Sequence, residues 1–179
     1  MSQALREHRA VPLSAEAFAP FGRVISAGLQ PGASANQGTA VRFDFTAELA
    51  STRPHSKANL AVFRSVARSL PLEVVLLERH PCSTQVFIPM IVSRYLVCVA
   101  PTLPDGGPEL AMVRAFICLP GQGVAYAPGT WHHPMVALDT PGEFAMLAWE
   151  DGTPLDCEVR DLAERFYVTE RPTDSAAEA

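Results

Sequence analysis

Short apolar runs, each closed by Pro, Gly or a polar cluster, recur along the whole chain. They predict strands over Gly22–Ser26, Val41–Phe45, Asn59–Arg64, Glu73–Glu78, Thr84–Pro89 and Arg94–Ala100. Further strands are expected over Ala115–Leu119, Gly123–Ala127, Pro134–Leu138, Phe144–Trp149 and Leu155–Val159. Many are rich in Val, Ile, Phe and Tyr, and most of their starts lie about 8–15 residues apart, a spacing that favours a sandwich or barrel over alternating strands and helices. Helical patterns are few. Ser14–Ala19 has Ser14 as N-cap and Glu16 in the first turn, Glu109–Arg114 follows a turn-rich stretch, and Arg160–Phe166 forms a third. The expectation is one all-β domain over residues 1–170 with a few short peripheral helices, and a disordered tail over 171–179.

Composition narrows the classes. The chain has 179 residues, 48% of them hydrophobic, and a net charge of −5. That length can bury a sizeable core, and the acidic balance argues against a nucleic-acid binder. No apolar run approaches the length of a membrane span, and the opening residues MSQALREHRAV contain no apolar stretch of the kind a secretory signal needs. The four cysteines form no C-x-x-C pair, and Cys98 and Cys118 sit inside apolar runs as core residues do, so a reduced, cytoplasmic protein is expected. The basic residues are thirteen arginines and a single lysine, Lys57.

Two segments gather three of the five histidines. In the first, Glu78 and His80 lie two apart in a strand pattern and share a face, while Gln85 opens the next strand across the His80–Thr84 turn. In the second, the Pro128-Gly129 turn delivers His132 and His133 to the start of another apolar run. These segments resemble the two motifs of the cupin superfamily. Glu78-x-His80-x4-Gln85 keeps the spacing of the first, with Glu for one His and Gln for the closing Glu. Gly121-x5-Ala127-x-Gly129-x2-His132 keeps that of the second, with Ala at the Pro position. Whole phrases narrow the resemblance. PLSAEAFAPFGRVI, LERHPCSTQVFIPM, YLVCVA and RAFICLPGQGVAYAPGTWHHP look like the ureidoglycolate lyase family, over roughly Val11 to Arg160.

The resemblance implies a cupin-type β-barrel or jelly roll, a homodimer, and cleavage of ureidoglycolate to glyoxylate and urea in allantoin degradation. Such an elimination needs a base for the hydroxyl proton, an acid for the departing nitrogen and a cation for the carboxylate. Glu78, His80, His132 and His133 are the candidate acid–base groups. Glu78, His80, Gln85 and His132 are the candidate ligands of a divalent metal (Ni, Mn or Zn). Asn36, Arg42, Arg64, Arg94, Gln85, Tyr126 and Trp131 are the candidates for binding the small anionic substrate. Ile91 stands where the family pattern carries a lysine after the Pro-Met phrase, which leaves carboxylate capture to arginine, the metal or backbone amides. The rival readings are a metal-dependent cupin isomerase or dioxygenase, and a cupin that senses a small ligand.

Overall fold

The structure, a computed structural model, describes residues 6–170; the expected tail over 171–179 lies outside them. In chain order the strands are β1 (Arg6–Pro12), β2 (Gly22–Ile25), β3 (Ala33–Ala35), β4 (Ala40–Arg42), β5 (Lys57–Ser65), β6 (Ala67–Arg68), β7 (Leu72–Arg79) and β8 (Gln85–Ile91). They continue with β9 (Arg94–Ala100), β10 (Arg114–Cys118), β11 (Gly123–Tyr126), β12 (Trp131–His132), β13 (Val136–Leu138), β14 (Gly142–Glu150) and β15 (Glu158–Thr169). Among the described residues the one α-helical turn, α1 (Ala15–Phe18), begins where Ser14 Oγ accepts from Ala17 N at 3.2 Å, and it buries Phe18. The second expected helix shrinks to a 3-10 turn over Leu110–Met112.

Six strands close on themselves in the order β10–β1–β15–β7–β12–β9, with β9 pairing back onto β10. A second sheet, β2–β11–β8–β14–β5, packs across the outer face of β9 and β10. Strand β9 shows how one element serves both cores. Leu96, Cys98 and Ala100 point into the closed ring beside Trp131, Phe166 and Leu77, whereas Tyr95, Val97 and Val99 point into the chamber between the sheets, beside Phe87 and Phe144. A strand covered on both faces reads as one continuous apolar run, as Tyr95–Ala100 does. The whole is an all-β, cupin-type barrel.

The helix expected over Arg160–Phe166 is instead part of β15. Its edges decide this: β7 pairs antiparallel with it from Glu158 to Asp161 and again from Phe166 to Val168, and β1 runs parallel to Phe166–Thr169. The register shifts between Asp161 and Phe166, which leaves Ala163, Glu164 and Arg165 exposed between the inward Leu162 and Phe166. That bulge mimics helical spacing in the sequence. The strand expected over Leu155–Val159 is likewise displaced, because only Glu158 and Val159 belong to β15 and Leu155–Cys157 lie in the preceding turn. β1, whose first residues are Arg6-Glu-His-Arg9, has no apolar signature and went unpredicted.

Candidate active site

Leu77 faces the ring, so alternation sends Glu78 to the chamber, and β12 places His132 directly opposite Glu78 in the register. The Pro128-Gly129 turn is tied to the same place, since Gly129 N donates to the His80 carbonyl at 2.9 Å. Gly129 has φ +80°, a conformation that L side chains rarely adopt. The result is a cluster in which one donor atom each from Glu78, His80 and His132 lies within 4.8 Å of the others. His132 is 1% exposed and His80 7%, while the Glu78 side chain keeps 20% of its surface and connects the cluster to solvent.

Backbone carbonyls decide where the imidazole protons sit. His80 Nδ1 lies 2.7 Å from the Asp156 carbonyl, His132 Nδ1 2.9 Å from that of Thr130, and His133 Nδ1 2.6 Å from that of Pro134. A carbonyl only accepts, so each Nδ1 carries the proton, and in the neutral ring Nε2 keeps its lone pair. Among the described residues, the Nε2 atoms of His80 and His132 and the Oε1 of Gln85 are buried without a partner. His132 Nε2 faces Glu78 Oε1 at 3.5 Å. Two electron-rich atoms this close and this buried call for a proton or a cation between them. The donor set of two imidazoles and a carboxylate suits a divalent ion. Rings add rigidity: Tyr126 stacks on His132 with centroids 4.1 Å apart and 6° between planes, and His80 stacks on its other neighbour His132 at 5.7 Å.

Electrostatics follow from this geometry. Burial raises the Glu78 carboxyl, but the imidazoles around it, His132 first at 3.5 Å and then His80 and His133, favour its ionised form and leave it below its ordinary value. Burial lowers His80, with His132 adding to the effect, and burial also lowers His133 and His8. These three histidines therefore bind protons less readily in the folded state than in the unfolded chain. Their contribution to stability is complete above about pH 6.5, the unfolded value, and is lost as the pH falls through it towards the folded values. Urea midpoints measured at about pH 7.5, 6.5 and 5.5 are expected to fall in that order with an unchanged m-value; a midpoint that held or rose on acidification would contradict this.

Comparison with known proteins follows the same line. The family described as Ureidoglycolate lyase matches residues 6–169. The chain belongs to the ureidoglycolate lyase family. It is 39% identical to the ureidoglycolate lyase of Pseudomonas putida strain W619 over 161 residues, covering 90% of this chain and 95% of the relative. To that of Pseudomonas savastanoi pv. phaseolicola it is 37% identical over 153 residues, 86% and 88% of the two chains.

Among the residues that the family resemblance suggested, Glu78, His80, His132 and Tyr126 come together. Gln85 opens β8 opposite Tyr126, on the same face as the core residue Phe87. His133 is partly buried and its charge reaches Glu78. The others lie elsewhere. Trp131, adjacent to His132, points the opposite way into the ring core. Asn36 and Arg42 belong to the β3–β4 hairpin, which pairs only with itself, and the 70% exposed Arg42 side chain binds Asp44. Arg64 is 83% exposed and binds Glu143. Arg94 binds Asp139 and Glu170. It begins β9 five residues before Val99, the partner of His132, so about 17 Å of strand separates them. Sequence reasoning missed the carbonyls of Asp156 and Thr130, the Cys157 thiol 4.0 Å from Glu78 Oε2, and Glu150, which accepts from Asn59 Nδ2 at 2.7 Å. Backbone acceptors leave no side-chain signature. Only the Asp151-Gly-Thr-Pro154 run hinted that a tight turn stood there.

Proposed function

We propose that the protein is a ureidoglycolate lyase, releasing urea from ureidoglycolate to leave glyoxylate, with its reactive centre at Glu78, His80, Gln85 and His132. The convergence of Glu78, His80 and His132 in the chamber, in a chain of this family, carries the reading. The named relatives give no support to an isomerase, a dioxygenase or a sensor.

In the substrate one carbon bears a carboxylate, a hydroxyl and a ureido nitrogen. Glu78, held ionised by its imidazole neighbours, takes the hydroxyl proton. The oxygen's electrons then form the aldehyde C=O, the C–N bond breaks, and its electron pair leaves on the ureido nitrogen. That nitrogen takes a proton from a histidine of the cluster. His133, next to His132 and with Nδ1 held at the Pro134 carbonyl, takes this role when Nε2 is protonated. A divalent ion (Ni, Mn or Zn) held by Glu78, His80, Gln85 and His132 would supply Lewis-acid polarisation of the hydroxyl. Arg42, Arg64 and Arg94 are each paired with carboxylates away from the cluster. The substrate's carboxylate is therefore met by an imidazolium or by the ion. Purified protein mixed with racemic ureidoglycolate is expected to form glyoxylate faster than spontaneous breakdown. No acceleration, with or without added Ni²⁺ or Mn²⁺, overturns the reading.

Two further features belong to this proposal. The outer face of β5 exposes Leu60 (73%) and Val62 (63%), and on β8 of the same sheet Ile88 is 39% exposed. This apolar face supports a homodimer. Sedimentation velocity should give a dimer for the native chain and a monomer for the double variant Leu60→Glu, Val62→Glu; an unchanged species would remove this face from the interface. The four cysteines are free, which fits a reducing, cytoplasmic setting. Both cores share β9 and β10, which supports one domain over 1–170.

A further inference from the structure

Arg53 lies outside every motif of the sequence, yet its side chain is only 13% exposed and its guanidinium is surrounded by acceptors. It donates to Asp151 Oδ1 at 2.6 Å, to Thr153 Oγ1 at 3.1 Å, to the Trp149 carbonyl at 3.3 Å and to Asp156 Oδ1. Asp156 folds the same turn from within, since its carboxylate accepts from Asp151 N at 3.0 Å and from Gly152 N at 2.7 Å. The carbonyl of that same Asp156 is the acceptor for His80 Nδ1. From the other side, the segment leading to Arg53 is bonded to the turn between β7 and β8: Thr52 N donates to Cys82 O and Thr84 N to Ala50 O, both at 2.9 Å. Arg53 thus joins the segment that carries His80 and Gln85 to the loop that sets the His80 ring.

We propose that Arg53 is a positioning residue for the reactive centre. By clasping Asp151 and Asp156 it holds the 151–156 turn so that the Asp156 carbonyl keeps the His80 proton on Nδ1 and turns Nε2 towards Glu78 and His132. The planar fork matters, because it meets four acceptors in fixed directions, which the single ammonium of a lysine does not reproduce. Partners that orient a reactive imidazole in this way change affinity or rate by about 10–100-fold when removed. The proposal rests on the reading of His80 as a site residue, and its test separates the two.

The test uses full-length protein carrying Arg53→Ala, Arg53→Lys or Asp156→Asn. On metal-free protein at neutral pH, ¹⁵N chemical shifts of the His80 ring are expected to show one tautomer, Nδ1–H, in the native chain. In Arg53→Ala they should show a mixture of tautomers, with Arg53→Lys between the two. In turnover with Mn²⁺ added, kcat for ureidoglycolate should fall by about 10–100-fold in Arg53→Ala with a smaller change in KM, and Arg53→Lys should recover part of it. Asp156→Asn keeps the backbone carbonyl but weakens the clasp, and it should shift the tautomers in the same direction; it carries the test if Arg53→Ala does not fold. A His80 spectrum and kcat unchanged in a folded Arg53→Ala overturn the proposal. Unfolding of both variants assigns Arg53 a purely structural role and overturns it as well. The tautomer measurement needs no substrate, so an inactive native protein would count against the lyase reading while leaving the clasp to be judged on its spectrum.

Discussion

Replacement of His132 by alanine is expected to lower kcat/KM for ureidoglycolate by about 10³-fold, the scale of losing a positioned acid–base or metal-ligating group. The effect should be large because His132 has no substitute. It is the group opposite Glu78, its Nε2 is buried without a partner, and its ring is fixed by Tyr126 on one face and the Thr130 carbonyl at Nδ1. Binding of Ni²⁺ or Mn²⁺, followed by calorimetry, should weaken in parallel. The fold should survive, since β12 loses no backbone pairing and the removed atoms belong to the chamber rather than the ring. His132→Gln returns an uncharged amide oxygen in place of Nε2 and should lie between the two. Native kinetics in His132→Ala would take this residue out of the reactive centre.

Trp131→Ala, one position away, should give the largest loss of stability, about 3–5 kcal/mol in urea unfolding. The indole is fully buried in the ring core, its Nε1 donates to Gly106 O at 3.1 Å, and the guanidinium carbons of Arg79 and Arg160 lie 4.6 and 5.1 Å from the ring centroid. Truncation opens a cavity that the closed strands cannot collapse into, and it strands a carbonyl. Trp131→Phe keeps most of the apolar volume and loses the hydrogen bond, so it should cost about 1 kcal/mol from that bond plus a packing increment. A loss below about 1 kcal/mol for the alanine variant would mean that the ring relaxes around the gap. The contrasting fates of neighbouring residues follow from strand alternation alone.

That alternation also explains how much could be read in advance. Arg94–Ala100 was legible because both faces of β9 are apolar, and Glu78-x-His80 was legible because two polar residues two apart in an apolar strand must share a face. Where pairing partners rather than local pattern determine structure, the reading failed. β15 is held from two sides by strands far away in sequence, and its bulge brings charged residues into a helix-like rhythm. Trp131 and His132 were both plausible as pocket residues until the register sent them to different cores. The supporting parts of the site, Arg53 and the Asp156 carbonyl, meet His80 across long sequence separations and through a backbone atom, which no local pattern encodes.

The position of β1 has a consequence for how the protein is made. The first described strand lies between β10 and β15, pairing with Ala115–Ile117 on one side and Phe166–Thr169 on the other. During translation it emerges well before β15, its partner across the seam, and the ring cannot shut until both are present. Until then β7 and β1 present open edges and the Trp131 core stays wet. Closure of the ring is therefore a late event governed by contacts of long sequence separation. Any product ending before about residue 166 would retain the complete Glu78–His132 motif yet lack the seam that closes its scaffold, and its exposed edges would invite aggregation.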